Sequence, residues 1–314
     1  MTFQGRFADS LLVEQLDRVS LSFLADDLDI RRGGVGGNIA FGLAILGLRP
    51  ILVGAAGEDF ADYRSWLERH GVDCESVQVS DTEHTARFVC TTDQDLAQIA
   101  TFYPGAMRQA RQIELAPVAE RVGGLDLVLI GPNDPDAMLR HTDECRTRGY
   151  RFAADPSQQL ASMSGADIRR LIDGADYLFT NEYEAHLTEQ KTGWSAQDIA
   201  ARVGTRVVTK GAQGATVTSA DGAQVHVPVV PALQVADPTG VGDAFRAGFL
   251  AGLSWGLDHE GCAQLGALLA TYVVETVGTQ EYEHRLPGFA ARFSGAYGAL
   301  AVQAIADRLP AALR

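Results

Sequence analysis

The sequence predicts an α/β protein: a doubly wound, mostly parallel sheet flanked by helices, with a small antiparallel β lid set apart from it. Two observations carry this expectation. Short apolar runs alternate with helical stretches along most of the chain, the signature of strands joined by crossover helices. Two other segments alternate in polarity without a helix between them, and have no place in a parallel sheet. With 314 residues, 46% of them hydrophobic, the chain can bury a full core.

In chain order, residues 18–32 ("RVSLSFLADDLDIRR") read as a pair of strands. Residues 34–47 ("GVGGNIAFGLAILG") begin as a loop and become an apolar helix ending at Gly47. "PILVGAAG" (50–57) reads as a buried strand, and "DFADYRSWLERHG" (59–71) as an amphipathic helix closed by glycine. "HTARFVCTTDQDLAQIATFYPG" (84–105) reads as a hairpin turning near Asp93-Gln94-Asp95. A turn centred on Gln94 sets Phe88 opposite Ala100, with Phe102 diagonally adjacent on the same face. "LDLVLIG" (125–131) is a buried strand followed by a helix over 134–148. "YRFAAD" (150–155), "DYLFTN" (176–181) and "TRVVTKG" (205–211) repeat the strand pattern. Ligands of such sheets bind beyond the carboxyl ends of the strands, where Asp155, Asn181 and Gly211 fall. The two antiparallel pieces, about residues 14–33 and 84–104, would form the lid of a single domain spanning 1–314. Gly33-Gly34 joins the first piece to the core, the place for a hinge.

The net charge is −14, with 40 acidic against 26 basic residues. That argues against a nucleic acid or an anionic membrane as the main partner. The only lysines are Lys191 and Lys210, and neither follows a G-x-x-x-x-G pattern, which excludes a P-loop. Cys74, Cys90, Cys145 and Cys262 are widely spaced, as expected of free thiols in the cytoplasm. No uninterrupted apolar run of about 18 residues is present. His141, Glu144 and Cys145 share a helix but lack further ligands nearby in sequence, and read as a surface helix rather than a metal site.

"DPTGVGDAFRAGF" (237–249) carries the chemistry. The first turn of a helix offers unpaired N–H groups and a positive dipole end, and glycines let an anion approach them. Gly240, Val241 and Gly242 thus read as an anion cradle. Asp243 repels an anion, which suits a residue that takes a proton beside a phosphate. On its own, it equally reads as an acidic residue complementing the helix dipole.

The chain resembles the ribokinase-like (PfkB) carbohydrate kinases. The resemblance rests on Asn38 after the double glycine, "NEYE" (181–184), "TKGAQG" (209–214) and "DPTGVGD" (237–243), in that order. Within that family, "VSLSFLADDL", "HTARFVCTTD", "FYPGAM", "ADPSQQL" and "DPTGVGDAFRAGFL" look like bacterial adenosine kinases. The resemblance implies phosphorylation of adenosine at its 5′-hydroxyl by ATP with Mg²⁺. It makes Asp243 the catalytic base and Gly240, Val241 and Gly242 the anion hole. It makes Glu184 the residue that organises Mg²⁺, through water. Asn181, Thr209, Gly211 and Gly214 match nucleotide contacts, with Lys210 a rim charge. Gly34, Asn38 and Ser22 match the substrate side, Asn38 as a ligand of the ribose hydroxyls. From the sequence alone Asn38 is as good a helix N-cap. Phe88 and Phe102 match aromatic contacts to the substrate base, and as same-face phenylalanines they also suit lid core or a dimer interface. Gln158 and Gln159 stand where two amides could read an adenine edge. A homodimer through the lid is expected, because a small sheet cannot bury both faces alone.

One departure follows from the same resemblance. The family opens with a short apolar strand whose nearby Asp holds two ribose hydroxyls, and "MTFQGRFADSLLVEQL" contains no such strand. Asp9 lies too far along to serve. The expectation is therefore a natural start upstream of Met1, a groove in the core and weak adenosine binding. Competing readings are a kinase of ribose, fructose or guanosine, and a catalytically silent nucleoside-binding protein.

Overall fold

The computed structural model describes residues 1–10, 21–95, 97–282, 286 and 288–313. Its largest sheet has six strands in the order β10-β9-β8-β7-β6-β5. Strands β5 (Val128–Ile130), β6 (Phe152–Ala154), β7 (Tyr177–Asn181) and β8 (Thr205–Thr209) run parallel. Strands β9 (Ala215–Ser219) and β10 (Gln224–Val227) continue the sheet antiparallel. Side chains alternate between its faces. Tyr177 and Phe179 join a core with the Val35–Ile45, Val241–Ser254 and His259–Val274 helices, while Leu178 joins the core on the other face with the Pro135–Arg148 and Gly165–Ile172 helices. Burial on both faces explains why these strands read as continuous apolar runs.

Strands β1 (Gly54–Gly57) and β2 (Val77–Ser80) form a separate parallel pair. Of the strand expected over 50–57, only the second half is regular; residues 50–52 are tied to Asp73 by single bonds. A cleft of about 850 Å³ separates β5 from this segment. It is lined by Ile51, Leu52 and Val53 on one side and Val128, Leu129 and Ile130 on the other, with Ile39 and Leu253 among the residues from neighbouring helices.

The lid is the antiparallel hairpin of β3 (Arg87–Thr92) and β4 (Gln98–Tyr103). Its register corrects the expected one. Phe88 is the direct partner of Phe102, and Ala100 faces Cys90. The turn is centred one residue later than expected because Asp93 organises it. The Asp93 N–H donates to the Ala97 carbonyl, and its Oδ1 accepts the N–H groups of Asp95 and Ala97, each at 2.9 Å. The pair of strands expected over 18–32 is also corrected. Residues 14–20 lie outside the described residues, and from Leu21 to Arg32 the only β-structure is a bridge between Asp27 and Thr2. The chain start lies beside the hairpin instead, with the Phe3 N–H on the Thr92 carbonyl and the Thr92 N–H on that of Met1. Phe3, Phe7 and Phe23 cluster there in tilted and edge-on contacts, their ring centres 4.6–5.2 Å apart.

Candidate active site

The Val241–Ser254 helix opens on Gly240, in the left-handed conformation (φ 78°) and without a side-chain cap. Its first turn therefore presents backbone N–H groups and the positive dipole end. A β-carbon on Gly240 would lie 2.8 Å from Thr279 Cγ2, and one on Gly242 would lie 3.0 Å from Arg246 Nη1. Asp237 braces the loop. Its Oδ1 accepts the Thr239 N–H at 2.9 Å and its Oδ2 the Gly278 N–H at 3.1 Å.

Asp243 sits in this turn, and its Oδ2 accepts a 2.8 Å hydrogen bond from Asn38 Nδ2. Burial pushes its carboxyl up to about 6, against the opposing pull of Asn38 and Arg246. A base in that range is ionised at neutral pH yet able to take a proton. Asn38 is not the cap of its helix: Gly34 holds that position, at φ 91°, and the Asn38 side chain is buried against Asp243.

Arg246 lies one turn behind. It donates Nη1 to the Gly242 carbonyl at 3.0 Å and Nη2 to Asp155 Oδ1 at 2.7 Å. Its Nε stands 2.6 Å from Asp155 Oδ2 in an ionic contact without hydrogen-bond alignment. Nη2 is also 3.9 Å from Glu184 Oε2. Burial raises the Asp155 carboxyl, and the adjacent guanidinium works against that. The sequence reading missed Arg246. The signal was there: a lone charge in the otherwise apolar run "AFRAGFLAG" must be buried with a partner.

Asn181 caps the Glu182–Thr192 helix, and Glu184 returns the bond to the Asn181 N–H, each at 2.8 Å. Burial raises the Glu184 carboxyl, with Asn181 and Arg246 opposing. Asn181 and Thr209 are register partners at the carboxyl ends of β7 and β8. Beyond Thr209, Gly211 (φ 53°) opens a short turn that Gly214 (φ 87°) closes. A β-carbon on Gly214 would stand 2.1 Å from the Val227 carbonyl oxygen. The end of β6, the capped helix start beyond β7 and the glycine turn of the Val241–Ser254 helix thus meet at Arg246, and the end of β8 pairs beside that of β7.

Other expected residues lie differently. Gln159 is engaged locally, donating Nε2 to the Asn133 carbonyl at 2.6 Å and accepting from Ser162 Oγ at 3.1 Å, whereas Gln158 is exposed. Only Gln158 therefore keeps an uncommitted amide for a base. Ser22 is exposed on the irregular segment before the hinge. Phe88 and Phe102 are 69% and 51% exposed, so they are not lid core within one chain. The helix over 134–148 corrects the surface reading: His141 and Cys145 are buried, and Glu144 accepts the N–H groups of Leu115 and Ala116.

A profile of the pfkB family carbohydrate kinases matches residues 9–285. The chain belongs to this family. Among its relatives, the nucleoside kinase of Methanocaldococcus jannaschii is 31% identical over 79% of this chain and 80% of its own. A nucleoside kinase of Burkholderia thailandensis, solved in complex with inosine, superimposes with a TM-score of 0.81 at 36% identity, covering 95% of this chain and 94% of that one. The same enzyme solved with ADP and inosine gives 0.80 at 38% identity, over 95% and 92%. The architecture is thus ribokinase-like, with a mostly parallel sheet and a small antiparallel lid.

Among the described residues no three His, Cys, Asp or Glu side chains group as a metal site. Glu184 offers a single carboxylate, with Oε2 occupied by the Asn181 N–H. That donor set fits Mg²⁺, which keeps most of its water and arrives with phosphate oxygens.

Proposed function

We propose that this protein transfers the γ-phosphate of ATP to the 5′-hydroxyl of adenosine, giving AMP and ADP. The observation that carries the reading is Asp243, held by Asn38 in the first turn of a glycine-opened helix. Similarity to nucleoside kinases supports a nucleoside as acceptor and ATP as donor.

The geometry supports the following roles. A hydroxyl set against Asp243 gives up its proton to the carboxylate as its oxygen attacks the γ-phosphorus, and the bond to the ADP oxygen breaks. Charge developing on the phosphoryl oxygens meets the N–H groups at Gly240, Val241, Gly242 and Asp243, of which that of Val241 also reaches the Pro238 carbonyl at 3.4 Å. The Asn181, Thr209, Gly211 and Gly214 cluster takes the nucleotide, and Phe88 and Phe102 lie against the base. Mg²⁺, held through water by Glu184, would neutralise charge on the phosphates.

The reading takes residues 1–314 as one kinase domain whose lid includes the 84–104 hairpin. Two copies pair through that lid, a role supported by the exposed Phe88, Val89, Ile99 and Phe102. Free thiols at Cys74, Cys90, Cys145 and Cys262 support a cytoplasmic location, and no described helix is long and apolar enough to cross a membrane.

A second reading, a purine nucleoside kinase of wider range, is supported by the inosine complex of the Burkholderia relative. ATP turnover measured side by side on adenosine, inosine, guanosine, ribose and fructose decides between them. Adenosine should give the highest kcat/KM. Faster turnover of inosine or guanosine selects the wider reading, faster turnover of ribose or fructose selects a sugar kinase, and adenosine binding without any turnover selects a silent binding protein.

A further inference from the structure

Behind Asn38 a chain of hydrogen bonds runs from Trp66 to Asp243. Trp66 Nε1 donates to Gln280 Oε1 at 3.2 Å. Gln280 Nε2 donates to Asn38 Oδ1 at 2.9 Å and also to the Tyr63 hydroxyl. Tyr63 in turn donates to the Gly33 carbonyl at 3.0 Å, and Asn38 Nδ2 donates to Asp243 Oδ2 at 2.8 Å. Gln280 is 1% exposed and Asn38 6%, so water does not substitute for these partners.

The direction of the chain is forced. An indole N–H can only donate, so the Gln280 oxygen must face Trp66. The Gln280 amide nitrogen then faces Asn38, which must offer its oxygen. That leaves only the Asn38 NH₂ for Asp243. Reversing either amide would set donor against donor or acceptor against acceptor in a buried site. Tyr63, whose hydroxyl burial keeps protonated, accepts from Gln280 and so must donate to Gly33, the first residue of the expected hinge.

The geometry points to Gln280 as a positioning residue that, oriented by Trp66, fixes which atom of the Asn38 amide faces the catalytic carboxylate. This rests on the proposed role of Asp243 as base. Gln280 touches neither reactant in this assignment. It acts through Asn38, and the same lock sets which amide atom a sugar hydroxyl would meet.

A double-mutant cycle on kcat tests it, with adenosine and saturating ATP. Gln280→Met should lower kcat about tenfold, the worth of one hydrogen bond to a charged group, with KM for ATP unchanged. In an Asn38→Ala background the same substitution should change kcat by less than about twofold, because its only route to Asp243 is gone. A merely structural role would lower kcat by the same factor in both backgrounds, and that result overturns the inference, as does an unchanged kcat in the single variant. Trp66→Phe keeps an aromatic ring against Phe41 and removes the indole N–H, together with part of the ring packing under Arg32, a packing loss that acts equally in both Asn38 backgrounds. It should lower kcat severalfold in the wild-type background and not in the Asn38→Ala background. If Gln280→Met fails to fold, this second variant decides by the same criteria. Asp243→Asn run alongside separates the two levels. Its retention of activity would remove the base itself and the inference with it, whereas its inactivity together with silent Gln280 and Trp66 variants overturns the inference alone.

Discussion

Arg246 Nη2 and Asp155 Oδ1 stand 2.7 Å apart, and Arg246 also holds the Gly242 carbonyl at 3.0 Å. One guanidinium therefore fastens the glycine turn of the Val241–Ser254 helix to the carboxyl end of β6. It also places a positive charge behind three carboxylates, Asp155, Glu184 and Asp243, that would otherwise repel one another.

Breaking that pair should be costly. Arg246→Met leaves Asp155 buried without its partner and should destabilise the protein by about 3–5 kcal/mol. Adding Asp155→Leu should recover much of the loss, since a buried pair can often be replaced by apolar groups at little cost. Chemical denaturation of the wild type and the two variants checks this, and a loss below about 1 kcal/mol in the single variant contradicts it.

The pH dependence of catalysis has a defined sign. As the proposed base, Asp243 would have to be ionised to accept a proton, and its carboxyl is pushed up to about 6. The kcat/KM for adenosine should therefore rise with pH through about 6 and level off above it. Asp243→Asn should lower kcat by about 10²–10⁴-fold, the range of general-base assistance. A profile flat between pH 5 and 8 would remove Asp243 from the base role.

The same residue should weigh against stability. Its folded-state value, about 6, lies above its ordinary 3.8, so the folded protein holds the proton longer than the unfolded chain does. The stability this contributes is present below pH 4 and is lost as pH rises toward 6. At pH 7.5, Asp243→Asn should accordingly be more stable than wild type, by up to about 3 kcal/mol, and at pH 4 it should show no gain. Thermal melts at the two pH values measure the difference. Equal or lower stability of the variant at pH 7.5 would refute the assignment.

The lid phenylalanines carry two expectations. Phe102→Ala should raise KM for adenosine by a factor corresponding to about 1–3 kcal/mol of lost stacking, with a smaller change in kcat. Phe88→Asp should weaken the proposed lid-to-lid dimer. Sedimentation at micromolar concentration reads the second effect, and a strictly monomeric wild type would end the dimer proposal.

Gly214→Ala should be destabilising by more than about 1 kcal/mol, because alanine is strained at positive φ. Its β-carbon would also stand 2.1 Å from the Val227 carbonyl oxygen. KM for ATP should rise with it. A variant with wild-type stability and KM would show that the turn after β8 tolerates a side chain and does not shape the nucleotide site.

Much of this was legible in the sequence. The strands from β5 to β8 announced themselves because burial on both faces demands continuous apolar runs. Asp243 and the glycines before it stood out because a helix start, an anion cradle and a carboxylate are local features that lie within seven residues of chain, "DPTGVGD". What the tertiary structure decided was long-range. The hairpin register shifted because the Asp93 side chain claimed the N–H groups of Asp95 and Ala97, a choice that alternation of polarity does not encode. Asn38 turned from a possible cap into a partner of Asp243, 205 residues away. Arg246 and Gln280 gained their meaning only from burial, and Asp155, expected at a ligand-facing strand end, became the buried partner of Arg246. A polar group taken out of water must find its partners wherever the fold brings them, and the spacing of residues along the chain does not say where that is.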